Sequence, residues 1–278
     1  LKIGLFSSPS GAFRLLAIVV LVSFLTPTTV FASNGQSQQP SVSLPLRIHS
    51  VNFCPTSSCS TNWGGYAATG STGSVSDVKA SWIVPSVTCP KSGSTYAALW
   101  VGIDGYSSST VEQTGVLVHC LLGKATYSAW YEFYPAASVT ISGFSVKPGN
   151  TISAEVGYST ATSLFTTTIQ NINTGSSFSK SSAVSSAQRS SAEWIIERPE
   201  TCLLKCKLTT LSNFGTADYG LDYTSVASTN YATISGATGA ISNFASAVAI
   251  TMVSSTGSTL AQSSILSTDG TSFSMKYV

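Results

Sequence analysis

The residues of this 278-residue chain that could do chemistry are few, and they sit in strand-like segments. In Tyr127-Ser128-Ala129-Trp130-Tyr131-Glu132-Phe133-Tyr134-Pro135 the side chains of a strand alternate between faces. Trp130, Glu132 and Tyr134 then share one face, and Tyr131 and Phe133 suit a buried core on the other. The first face is either a cleft wall that grips an extended chain or an ordinary solvent face with one charge. In Ser191 to Glu197, Glu193, Ile195 and Glu197 share a face, while Ala192, Trp194 and Ile196 suit burial. Around Gln113, Gly115 and Leu117 lie on its face, with Glu112, Thr114 and Val116 opposite. Gly115 leaves room for a ligand or a close backbone. A carboxylate can take a proton from water. A carboxamide cannot, and acts only by donating and accepting hydrogen bonds around a reacting carbonyl. Taken singly, a strand glutamine is a surface residue and Glu193 a solvated one. They carry chemistry only if the fold brings them together.

The elements that must position them read as strands. Val78 to Val84, Ala97 to Ile103, Tyr127 to Tyr134, Thr151 to Tyr158, Phe165 to Ile172, Ala192 to Ile196, Ala247 to Val253 and Ser272 to Val278 are rich in β-branched and aromatic residues, with turn residues between them. That pattern predicts an all-β sandwich. Helical periodicity is weak, and Ser181 to Ser190 is the best helix or loop candidate. Charged residues are 9% of the chain, against about 25% in ordinary soluble proteins. Few carboxylates leave little to protonate on acidification, which fits an acid-stable protein or simply a Ser/Thr-rich secreted one. Of 13 Lys and Arg, Lys2 and Arg14 precede an apolar run from Leu15 to Leu25, leaving 11 against 11 Asp and Glu. No basic patch remains, so nucleic acid is a poor partner.

The run itself reads as a secretory signal peptide over 1–32, cleaved after Ala32, and is shorter than the ~20 residues of a membrane span. An uncleaved anchor is the alternative. Residues 33–60 read as a polar lead-in or propeptide, and 61–278 as one β-sandwich domain. The expected setting is extracellular, with no membrane contact after signal cleavage. Cys54, Cys59, Cys89, Cys120, Cys202 and Cys206 suggest disulfides in such a chain. The simplest pairing is Cys54–Cys59, Cys89–Cys120 and Cys202–Cys206. Zinc is disfavoured, because only His49 and His119 are available and no Cys-x-x-Cys occurs.

Six short pieces occur in order: Asn62-Trp63-Gly64-Gly65, Trp82-Ile83-Val84-Pro85, Trp100-Val101-Gly102-Ile103-Asp104-Gly105, Gln113-Thr114-Gly115-Val116, Ala129 to Pro135, and Ala192-Glu193-Trp194-Ile195-Ile196-Glu197. Together they resemble the glutamic peptidases, the eqolisin family of secreted acid endopeptidases. The resemblance implies a lectin-like (concanavalin-type) β-sandwich of two antiparallel sheets with a concave cleft, and a monomer acting on protein or peptide substrates without metal or cofactor. It matches the catalytic glutamine to Gln113 and the catalytic glutamate to Glu193. Trp100, Asp104, Trp130 and Glu132 match further cleft positions, with Tyr134 beside them. Their implied roles are substrate contact and tuning of Glu193. The family often has Asp four residues after the glutamine, where this chain has Leu117. To act as a base well below the ordinary glutamate value of ~4.3, Glu193 needs a lowered pKa, from hydrogen bonds or a positive field.

Other hydrolytic signatures are missing: no Gly-x-Ser-x-Gly, no Asp-Thr/Ser-Gly pair and no His-Glu-x-x-His. Two competing readings remain open. One is a glycoside hydrolase using Glu132 and Glu193. The other is a carbohydrate-binding module whose Trp130 and Tyr134 stack on sugars.

Overall fold

The computed structural model describes residues 41–43, 49, 54, 58–202 and 205–278. The expected leader and its cleavage point lie outside the described residues, as does much of the lead-in.

The site-bearing sheet is antiparallel throughout. Its order is Val248–Val253, Trp63–Thr69, Ser191–Glu197, Ser94–Ile103, Glu112–Leu121, Lys124–Phe133 and Val139–Thr140. A second sheet runs Ser177–Ser182, Leu164–Asn171, Thr151–Ser159 and Val75–Ile83. It continues through Thr216–Tyr219, Phe273–Tyr277 and Thr259–Ser263. The strand Val248–Val253 belongs to both sheets. Val248, Ala249 and Ile250 pair with the Trp63 strand, while Met252 and Val253 pair with the Thr259 strand across a register shift. A strand that changes sheets at an irregularity turns a corner of the structure.

The expected strands are present to within a residue or so at most ends. Ser181 to Ser190 leaves the strand Ser177–Ser182 as a loop, and a four-residue helix at Leu221–Thr224 has no periodic signal in the sequence. Among the described residues the lead-in contributes two elements: Ser41–Ser43 pairs with Glu200–Cys202, which pairs with Cys206–Leu208, and Cys59–Ser60 pairs in parallel with Val248–Val253. The disulfides are Cys54–Cys59, Cys89–Cys120 and Cys202–Cys206, the simplest pairing.

The core between the sheets takes the faces that alternation assigns to it. Val116, Val118, Leu99, Val101, Phe133, Ala192, Trp194 and Ile196 meet Trp82, Ile152, Ile169, Tyr219 and Phe273. Burying each large side chain stabilises the fold by about 1.5–3 kcal/mol. Two hydrogen bonds pin the Glu193 strand to the other sheet. The Trp194 indole N–H donates to the Lys79 carbonyl at 2.8 Å, and the Tyr219 hydroxyl donates to the Ile195 carbonyl at 2.9 Å.

Candidate active site

Strand register sets the site. Glu193 pairs with Gly102, Gly102 with Gln113, and Gln113 with Glu132. Directly paired residues point to the same face, so these form one row across four neighbouring strands. The next row is Ile195, Trp100, Gly115 and Trp130, and beyond it come Glu197, Ala98, Leu117 and Ser128. Strands lie about 4.8 Å apart, so the Gln113 and Glu193 backbones are separated by about 10 Å. The residue between them has no side chain. A Cβ on Gly102 would come within 3.0 Å of Gln113 Cβ, the Glu112 carbonyl oxygen and Trp100 Cζ3. At Gly115 a Cβ would strike the Leu99 carbonyl and stand 2.6 Å from Trp100 Cβ, so the space there belongs to a close backbone.

Gln113 Nε2 donates to Glu132 Oε2 at 2.7 Å, while Gln113 Oε1 is buried without a partner. One amide hydrogen is thus committed, and the second hydrogen and the carbonyl oxygen remain for a reacting group. Burial pushes Glu132 up to about 8, against the pull of Gln113 and the Ser138 main chain.

Gln113 and Glu193 are both fully withdrawn from solvent. For Glu193 the electrostatic direction is opposite to the sequence expectation. Burial raises its pKa well above the usual value, the Asp104 and Glu112 charges add to the rise, and the Ser191 hydroxyl and Tyr106 N–H oppose it without closing a well-formed hydrogen bond. The reason is physical: among the described residues no cation acts on Glu193, so desolvation wins.

Asp104 is a hub for two loops. Its Oδ2 accepts from the Gln188 and Arg189 amides at 2.8 and 2.7 Å and from the Thr110 hydroxyl at 3.2 Å. Its Oδ1 accepts from the Ser190 amide at 2.8 Å and the Ser190 hydroxyl at 3.1 Å. The residue is fully buried with φ 72°, in the left-handed region. With every lone-pair direction occupied by the protein, Asp104 holds the loop after Ile103 against the loop that enters the Glu193 strand. Its charge also raises the Glu193 pKa.

Trp100 and Trp130 lie in an apolar cluster on the site face with Trp63, Ala67, Ala98, Ile195 and Ile250; Tyr106, Leu117 and Val248 pack against it. Leu117, at the position where the family often has Asp, is therefore part of an apolar floor. Tyr134 falls just past the end of its strand and is half-buried. The structure thus gathers Gln113, Glu193, Glu132, Trp100 and Trp130 on one face and places Asp104 and Tyr134 at its margins.

Two further carboxyls belong to the neighbourhood. Glu112 is buried with neither oxygen hydrogen-bonded, and burial plus the Asp104 and Glu132 charges push it to about 9. Glu197 is fully buried against Trp100. Glu197 closes the Ala192–Glu197 piece and Glu112 directly precedes Gln113, but strand alternation assigned Glu112 to the far face and gave Glu197 no partner.

The family model described as the Peptidase A4 family matches residues 61–277. Scytalidopepsin B of Scytalidium lignicola is 39% identical over 145 residues, covering 51% of this chain and 53% of the relative. Aspergillopepsin-2 of Aspergillus niger is 31% identical over 160 residues, covering 50% of this chain and 56% of the relative. The chain thus spans about half the length of these two relatives. A crystal structure of scytalido-glutamic peptidase with a transition-state analogue inhibitor superposes with a TM-score of 0.65 at 29% identity, covering 78% of this chain and 98% of that one. Aspergilloglutamic peptidase from Aspergillus niger gives a TM-score of 0.55 at 28% identity, covering 66% of this chain and 99% of that one. With its β-sandwich, its row of Glu193, Gly102, Gln113 and Glu132, and a family match over nearly the whole described domain, the chain belongs to the Peptidase A4 family, the glutamic peptidases.

Proposed function

We propose that this protein is a secreted endopeptidase that hydrolyses peptide bonds with Gln113 and Glu193. The observation that carries this is the row in which the two side chains flank Gly102 on one face of one sheet. In the proposed reaction ionised Glu193 takes a proton from water as the water oxygen attacks the scissile carbonyl carbon. The free Gln113 N–H donates to the oxyanion as it forms, and Gln113 Oε1 accepts from the attacking water. The C–N bond then breaks, and the Glu193 proton passes to the leaving amine. Donors aimed at developing charge are typically worth about 100-fold or more in rate. The Glu132 contact supports this role, because it holds the carboxamide in one orientation.

The acid setting is part of the proposal. Burial pushes Glu112 up to about 9, so at every pH below that value it is uncharged and does not repel an ionised Glu193. Burial and the Asp104 charge favour the protonated form of Glu193 as pH falls, so the proposed base is its ionised fraction. Substrates would be proteins or peptides; a related eqolisin peptidase, SCP-B, has been solved in a complex with the tripeptide Ala-Ile-His. We further propose a monomer that acts outside the cell, without nucleic acid or membrane partners; among the described residues no helix is long and apolar enough to cross a membrane. Trp100, Trp130, Glu132 and Tyr134 are proposed substrate-side residues, and Asp104 is proposed to act through the loops it joins.

The test is hydrolysis of an unfolded protein across acid pH by wild type, Glu193→Gln and Gln113→Ala. Both variants are expected to lose activity by about 100-fold or more. Wild-type turnover in Glu193→Gln would remove the proposal. Cleavage of a polysaccharide instead would favour a pair of carboxyls, Glu132 and Glu193, although Gln113 stands between them in the row.

A further inference from the structure

Glu197 lies four residues after Glu193 on the same strand face. Its side chain is fully buried, and its Oε2 accepts the Trp100 indole N–H at 2.8 Å. Its Oε1 has no hydrogen bond of good geometry. Trp63 is paired directly opposite Glu197 on the neighbouring strand. The Trp63 ring meets Trp100 edge-on, with centroids 4.9 Å apart and planes at 77°. The Trp63 indole N–H also acts on Glu197, without a well-formed bond. Burying a carboxyl in an apolar cluster is costly, and an aliphatic residue of similar volume would pack there without that cost. What the carboxyl adds is direction: it fixes which way the Trp100 indole points.

That direction matters because of what lies at the other edge of the ring. Trp100 Cζ3, on the side of the indole away from Nε1, is 3.0 Å from the position a Cβ of Gly102 would take. Gly102 separates Glu193 from Gln113 in the row. One edge of the indole is therefore held by Glu197, and the opposite edge borders the slot between the two reacting side chains.

We propose that Glu197 is a positioning residue for peptide hydrolysis: by holding the Trp100 indole N–H it sets the ring edge that forms the floor of the Gly102 slot, and so fixes where a scissile peptide rests between Gln113 and Glu193. This rests on the Gln113 and Glu193 reading and deepens it. Burial disfavours the charged form of Glu197 and raises its pKa well above the usual value, and a carboxamide in its place offers the same carbonyl acceptor to Trp100.

The test compares Glu197→Leu, Glu197→Gln and Trp100→Phe in steady-state kinetics on a peptide substrate, with thermal unfolding and near-ultraviolet circular dichroism for each. Misplacement of a bound substrate by about 1 Å can cost about 100-fold in rate. The expected result is a fall in kcat of about 10- to 100-fold for Glu197→Leu and Trp100→Phe, with KM within about threefold, and recovery of most of that loss in Glu197→Gln. The Glu197→Leu/Trp100→Phe double variant should be no slower than the worse single variant, because both remove the same contact. The aromatic dichroism should change in Glu197→Leu and return in Glu197→Gln. Wild-type kcat in a folded Glu197→Leu or in Trp100→Phe overturns the proposal, as does a Glu197→Gln variant as slow as Glu197→Leu. If Glu197→Leu does not fold, Trp100→Phe and Glu197→Gln decide alone. Retained activity in Glu193→Gln would instead overturn the reading beneath it, so the two failures are distinguishable.

Discussion

Gln113 and Glu193 stand on either side of a single residue, Gly102, which pairs with both of them from the strand between. Their separation is set by the spacing of hydrogen-bonded strands, about 4.8 Å for each step, and the residue at the midpoint carries no side chain.

Gly102→Ala tests that gap. The added methyl would sit 3.0 Å from Gln113 Cβ, from the Glu112 carbonyl oxygen and from Trp100 Cζ3. Three tight contacts, one of them with backbone, should cost about 1–3 kcal/mol of stability. Activity should fall further than stability explains, because the methyl displaces Gln113 itself. Thermal unfolding and kcat measured on the same preparation check this; a variant with normal kcat would mean the slot is not where the reaction occurs.

Glu132→Ala should lower kcat by about tenfold or more while leaving KM less affected, since it frees the Gln113 carboxamide to rotate. Glu132→Gln keeps a carbonyl acceptor at the same place and should retain more activity than Glu132→Ala. Equal losses in the two variants would argue that the charge of Glu132, rather than its hydrogen bond, is what counts.

The pH dependence of activity follows from the direction of the Glu193 shift. Only the ionised form can take a proton from water, and burial raises its pKa. Activity should therefore rise with pH through a value above the ordinary ~4.3 of a glutamate. A profile of kcat/KM against pH checks the acid limb. Full activity well below pH ~3 would show that the bound state supplies donors strong enough to reverse the burial effect.

Stability should move the other way. Glu112 and Glu132 have folded values of about 9 and about 8. Both lie above the unfolded value of ~4.3, so the stability they contribute is fully present below that value and is lost as pH rises through 8 to 9. Melting temperature measured against pH should fall from mildly acid conditions toward alkaline ones. Glu112→Gln should flatten the fall, and an unchanged slope would refute the assignment.

Much of this was legible in the sequence because a strand has a period of two. Alternation alone put Trp130 with Glu132, Glu193 with Glu197, and Gln113 with Leu117 on common faces, and the register then aligned those faces. What alternation does not carry is the environment. The upward pKa of Glu193 depends on burial and on charges from Asp104 and Glu112, which arrive from other segments. Asp104 illustrates the same limit: its donors Gln188, Arg189 and Ser190 lie more than eighty residues away, in a loop with no regular pattern to read. Glu197 was visible as a carboxyl on the right face, but its tie to Trp100 exists only once two strands pair in one particular register.

The strand Val248–Val253 pairs with the site-bearing sheet at one end and with the opposite sheet at the other. The two layers are therefore stitched by a shared seam and cannot slide or peel apart as independent plates. Loss of either layer removes partners from the other, so the domain should open as one cooperative unit rather than leaf by leaf. For the endopeptidase proposed above, such a seam withholds the frayed intermediate on which proteolysis of its own chain would begin.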